Sequence, residues 1–91
     1  PLHYSPGIPL RTNAKKPKTN EAFVLVKKRK STMKNYYYLS KNNNLQQSAK
    51  NLYSLLRKIK NDGYKMIAVE KIQNKGIGKT INDRLNRASK Y

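Results

Sequence analysis

The spacing of apolar residues changes along this chain, and that change constrains the fold more than any other feature. Residues 22–26 form an apolar run of strand-forming side chains, which is typical of a central strand buried on both faces. From Leu45 onward the apolar residues recur three and four positions apart as far as Ile59, which traces one stripe on a helix. The chain therefore predicts strands and helices in one α/β domain.

Turn residues and caps divide the chain into six elements. We predict strands over 10–14, 22–26, 36–40 and 64–70, and helices over 45–62 and 80–89. Asn44 is a suitable N-cap for the first helix, and Gly63 suits the C′ position, where a left-handed backbone is needed. The helix stripes are Leu45, Ala49, Leu52, Tyr53, Leu56 and Ile59, then Ile81, Leu85 and Ala88. The order β-β-β-α-β-α indicates a small, mostly parallel sheet of about four strands with two main helices, in which the unit 36–70 implies a parallel strand pair.

Composition excludes several classes of protein. The 91 residues suffice for one small domain, and no apolar run approaches the length of a membrane span, so we expect no membrane partner. With no cysteine, one histidine and four acidic residues, the chain lacks the groups for a disulfide, an ordinary metal site or a catalytic triad. We therefore expect no metal site and no catalytic residue.

The net charge of +17 leaves two interpretations open. Such a charge attracts phosphate backbones, and the run Lys27, Lys28, Arg29 and Lys30 supplies the candidate nucleic-acid contacts. However, 16 of the 21 basic residues are lysine and asparagine is also abundant, which is typical of compositional drift with weak, nonspecific binding. We favour a solvated loop for the basic run, and packing over base stacking for the tyrosines at 36–38.

The segment 76–80, with sequence GIGKT, superficially looks like a phosphate-binding loop before a helix. The first glycine of that pattern is replaced by Gln73. We therefore favour a strand-to-helix turn in which the glycines permit positive φ angles.

Motifs at both ends of the chain resemble one family. Residues 1–9 form a proline-rich segment, which we call the arm. Within it, His3, Tyr4, Ser5 and Pro6 resemble the interdomain linker motif of long-form threonylcarbamoyl-AMP synthases. Residues 76–88 are similar to the signature that closes the C-terminal domain of these enzymes. Residues 9–14, 21–23 and 48–57 agree with intervening segments of that domain in the same order.

This resemblance implies an interdomain linker stub over 1–9 and an accessory, Rossmann-like C-terminal domain over 10–91. It implies a parent that joins threonine, bicarbonate and ATP, with Mg²⁺, releases pyrophosphate, and acts in cytoplasmic tRNA modification. The partner would be a YrdC-type catalytic domain, in the same chain or a separate one. The linker of the family folds over that domain's active site, a role that carries over to His3, Tyr4, Ser5 and Pro6.

The catalytic domain is not part of this sequence, so we expect no catalysis and no cofactor in this chain alone. The start at Pro1, without an initiator methionine, indicates a fragment. Without its partner surface the arm is expected to be disordered or loosely packed. The alternative function is a stand-alone basic RNA-binding module.

Overall fold

Four strands and two helices follow one another in the predicted order. The computed structural model describes residues 5–26, 29–30, 33–42 and 44–90. The elements are β1 (Leu10–Ala14), β2 (Ala22–Leu25), β3 (Tyr36–Tyr38), α1 (Leu45–Asn61), β4 (Ile67–Glu70) and α2 (Ile77–Ala88). The predicted α/β class and the order β-β-β-α-β-α are confirmed.

The strands form a single parallel sheet in the order β1-β4-β2-β3. β3 and β4 are parallel, as the unit 36–70 implied, but they are not neighbours because β2 lies between them and pairs with both. Every residue of β2 is fully buried, so this strand gains most from an interior position with a partner on each side.

Both helices pack on the same face of the sheet. That face carries alternate residues of β2 and β4, and the helices cover it with the predicted stripes; the shared core includes Ala22, Val24, Ile67, Val69, Leu52, Leu56, Ile81 and Leu85. The opposite face carries Phe23, Leu25 and Ala68. The connection after β1 runs on this second side, where the Arg11 guanidinium donates to the Lys16 carbonyl.

The two ends of α1 are closed as the sequence predicts. The Asn44 side-chain oxygen accepts a hydrogen bond of 3.1 Å from the Gln47 amide. Gly63 has φ of 100°, its amide donates to the Lys60 carbonyl, and the next amide, of Tyr64, donates to Ile59. This pair of bonds is a Schellman motif, which stops the helix and satisfies two of its last carbonyls.

The buried stripe of α1 differs from the prediction at its first turns. Leu45 is 38% exposed and Ala49 is half-buried, whereas Ser48 is fully buried; Tyr53, later in the stripe, is also only half-buried. The Ser48 hydroxyl donates to the Asn44 carbonyl at 3.0 Å, so its burial leaves no unsatisfied donor. Leu45 is the first helical residue and lies at the end of the packed layer.

Three of the four strands have boundaries that differ from the prediction. β2 ends one residue early because the Val26 amide donates to the side-chain carboxylate of Glu70 rather than to a backbone carbonyl of a neighbouring strand. β3 ends at Tyr38 because the Ser40 hydroxyl accepts from the Asn42 and Asn44 amides and forms a turn. β4 starts only at Ile67, since the backbone of Tyr64 is used to close α1.

Candidate functional site

The described part of the arm is packed on the domain. Pro6 is buried, and Ile8, only 8% exposed, belongs to the main core although it precedes the predicted boundary at residue 10. The Pro9 carbonyl accepts from the Ile67 amide at 2.9 Å, which aligns the arm with the start of β1 beside β4. Of the two expected states, residues 5–9 therefore show packing. His3 and Tyr4 lie outside the described residues.

A tight turn shapes the end of the arm. Gly7 has φ of 80°, and its amide donates to the Ser5 hydroxyl at 3.1 Å. A Cβ atom at Gly7 would lie 3.0 Å from the Lys60 ammonium, so the turn lies beside the end of the Lys60 side chain. The positive φ favours glycine at this position.

A cavity of about 320 Å³ lies where the arm meets α1. Tyr53 and Leu56 supply apolar surface, and Arg57 and Lys60 supply positive charge. The full lining is Ser5, Pro6, Tyr53, Leu56, Arg57, Lys60 and Asn61. Two of the four predicted linker residues, Ser5 and Pro6, thus line the same cavity as two cations from the end of α1.

All four carboxylates of the chain are held in ion pairs. The pairs are Arg11–Glu21, Arg29–Glu70, Lys58–Asp62 and Arg87–Asp83, at 2.8 to 3.2 Å. None of these carboxylates lines the arm cavity. The positive charge of that cavity is therefore uncompensated by any acidic side chain of the cavity wall.

Two of these carboxylates titrate below their usual range. The pKa of Glu21 is lowered, chiefly by the hydrogen bond from the Arg11 side chain. The pKa of Asp62 is lowered chiefly by the Tyr37 hydroxyl, which donates to it at 2.6 Å, and next by Lys58. The pKa of Tyr37 is raised, first by burial and then by this bond to Asp62. These groups act as structural contacts of the domain.

The predicted nucleic-acid contacts divide into two groups. Lys27 and Lys28 lie outside the described residues. Arg29 donates to Glu70 at 2.9 Å and its guanidinium stands 5.9 Å from the centre of the Phe23 ring, so it helps to cover the second face of the sheet. Lys30 is exposed. The role of these four residues toward nucleic acid stays a prediction.

The tyrosines of β3 are half-buried and point to alternate faces, as expected for a strand. Tyr36 packs edge-on against Phe23 with ring centres 5.4 Å apart, and Tyr37 packs in the same manner against Tyr64 at 6.0 Å. The Tyr38 hydroxyl donates to the Arg29 carbonyl. All three rings therefore take part in packing within the domain.

The predicted positive φ angle is found at Gly76 but not at Gly78, which lies in the first turn of α2 and is needed there for a steric reason. Gly76 precedes the helix with φ of 58°. A Cβ atom at Gly78 would overlap the Gln73 carbonyl, because the first helical turn lies directly against the preceding loop. The helix begins at Ile77, three residues earlier than predicted, because Gly78 already donates to the Lys75 carbonyl.

The sequence-based predictions assigned no functional role to Arg57, Lys60 and Asn61. A signal for them was present, because Tyr53, Arg57 and Lys60 are spaced by four and three residues and so share one side of α1. No local sequence pattern indicates that these helix residues lie close to Ser5 and Pro6, because about fifty residues separate the two groups in the sequence.

Two further findings concern the described residues only. No group of three or more histidine or acidic side chains is placed to hold a metal ion within these ranges. Neither helix combines the length and the apolar character that crossing a bilayer requires.

Comparison with known protein families shows where this chain belongs. The family model for the C-terminal domain of threonylcarbamoyl-AMP synthase matches residues 2–90, which is nearly the whole chain. Searches of curated proteins and of solved structures gave no significant match.

Proposed function

This chain belongs to the family of threonylcarbamoyl-AMP synthase C-terminal domains, and we propose that it is an accessory domain whose arm closes the active site of a YrdC-type catalytic domain. The family acts in tRNA modification. The joined enzyme would consume ATP, threonine and bicarbonate, with Mg²⁺, in the cytoplasm. No catalytic residue and no cofactor are assigned to this chain itself.

The anchoring of the arm is the observation that supports this proposal most directly. Pro6 and Ile8 are buried, and Pro9 is hydrogen-bonded to β4, so residues 5–9 are attached to the core. An anchored arm loses less conformational entropy on closing over a partner than a free one.

The chemistry of the proposed reaction gives a reason for an arm that closes over the active site. Threonylcarbamoyl-AMP is an acyl-adenylate, and such compounds hydrolyse readily, so a lid that excludes water protects the product. Tyr4 offers a ring and a hydroxyl, His3 offers a donor that can be charged, and Pro6 stiffens the backbone that carries them.

The test is Tyr4→Ala in the joined synthase. We expect slower synthesis, or more hydrolysis of threonylcarbamoyl-AMP per turnover, with an unchanged melting temperature for this domain. Tyr4→Phe keeps the ring and separates its role from that of the hydroxyl. Unchanged kinetics in Tyr4→Ala would reduce the arm to a tether and overturn the proposal.

A further inference from the structure

The arm cavity holds the one arginine of the described chain that is not already used for a contact. Arg11, Arg29 and Arg87 pair with carboxylates, and Arg84 donates to the Ala49 carbonyl at 2.8 Å. Within residues 5–26, 29–30, 33–42 and 44–90, only Arg57 among the arginines has neither an ion pair nor a hydrogen bond. Arg57 is an exposed residue, and the donors of its guanidinium are available for a ligand.

Lys60 adds a second positive charge to the same wall. It lies one helical turn after Arg57, so both side chains project on the same side of α1. The Gly7 turn approaches its ammonium, which places this charge between α1 and the arm. The nearest carboxylate along the helix, Asp62, is engaged by Lys58 and Tyr37. The two cations are therefore not neutralised from within the domain.

The rest of the lining favours a compact oxyanion. Ser5 and Asn61 supply neutral hydrogen-bonding groups, and Pro6 and Leu56 are apolar and exclude water from part of the wall. A guanidinium matches the geometry of two oxygens of one phosphate, and an ammonium adds a point charge to a neighbouring oxygen. A ligand with several phosphate oxygens satisfies both cations at once.

We propose that Arg57 and Lys60, together with Ser5, form a binding site for a phosphate-type oxyanion at the base of the arm. In the joined synthase the occupant is pyrophosphate, or the polyphosphate end of the nucleotide from which it is released; this identification rests on the proposed function.

The experiment titrates the 91-residue chain with sodium pyrophosphate at about 0.15 M ionic strength, where exposed charges are largely screened. Backbone amide NMR signals report where binding occurs. We expect saturable binding with shifts confined to Ser5, Gly7 and the last two turns of α1. Arg57→Gln and Lys60→Gln should each weaken binding by about tenfold, as for loss of a hydrogen bond to a charged group.

The matched control is Lys71→Gln with Lys79→Gln. These two lysines line another cavity, between β1 and α2, so their loss removes the same type of charge at a different place. We expect the control to bind pyrophosphate as the unmodified chain does. Equal weakening in the control and in Arg57→Gln, or shifts spread over all the basic surface, would overturn the proposed site.

Two further titrations distinguish the sources of phosphate. Inorganic phosphate should bind more weakly than pyrophosphate at the same residues. A short RNA bound at these residues more tightly than pyrophosphate, at equal phosphate concentration, would overturn the assignment in favour of a nucleic-acid contact. Because these measurements need no catalytic domain, their failure is separate from failure of the Tyr4→Ala test in the joined enzyme.

Discussion

At the scale of single residues, Glu21 has the most demanding position in the molecule. Its side chain is only 3% exposed, and it accepts from the Arg11 guanidinium twice and from the Lys18 amide. It thereby holds the connection between β1 and β2 against the sheet. A buried carboxylate with these partners stabilises the fold only while it is ionised.

We predict that Glu21→Gln lowers the free energy of unfolding by about 1–3 kcal/mol near neutral pH, because charge-assisted hydrogen bonds are lost. The pKa of Glu21 is lowered by folding, so its contribution is complete above about pH 4–5 and declines as pH falls through the lowered pKa. Thermal melting of the unmodified chain and of Glu21→Gln, measured from neutral to acidic pH, should show that the difference between their melting temperatures becomes smaller as the pH falls. Asp83→Asn, which alters an exposed pair, is the control and should have little effect.

At the scale of the elements, α1 is held by its central and later turns. Leu56 is 1% exposed in the core that it shares with Leu85, whereas Leu45 of the same predicted stripe is 38% exposed. Leu56→Ala should cost about 2–5 kcal/mol through lost burial and the cavity left behind. Leu45→Ala should change stability by less than about 0.5 kcal/mol. Urea denaturation measures both, and comparable losses would contradict the observed orientation of the helix.

At the start of α2, the sign of the stability change caused by Gly78→Ala tests the observed packing. Replacing a helical glycine by alanine ordinarily stabilises a helix by up to about 1 kcal/mol. Gly78→Ala should instead destabilise this protein, because the new methyl group would overlap the Gln73 carbonyl. Lower thermal stability is the expected result, and a more stable variant would show that the loop before α2 can move away.

At the scale of the whole molecule, the positive charge is spread over the exposed surface. Basic residues outnumber acidic residues by 21 to 4, and all four carboxylates are already paired. Few arginines are available to contact bases, because four of the five are used for contacts within the domain. The surface therefore favours counterion release over recognition of sequence.

We predict that RNA binding by this chain is weak and unselective. Affinity for a tRNA should match that for a random RNA of equal length, and should fall on the order of a hundredfold between low and moderate salt. Fluorescence anisotropy at two salt concentrations measures both quantities. A preference for the tRNA that persists at the higher salt would favour the alternative, a stand-alone RNA-binding module.

The type and order of the six elements, and both ends of α1, follow from the amino-acid sequence alone. The apolar spacing and the caps Asn44 and Gly63 act over a few residues, because a helix and its termini are built from local hydrogen bonds. The order of the motifs also pointed to the family that the chain belongs to.

The pairing of the strands and the contacts between distant side chains follow from the tertiary fold and not from local sequence. The insertion of β4 between β1 and β2, the burial of Glu21 and Ser48, and the proximity of Arg57 to Ser5 all depend on contacts between distant segments. Such contacts follow from the most favourable burial of the whole apolar surface, which no local pattern determines by itself.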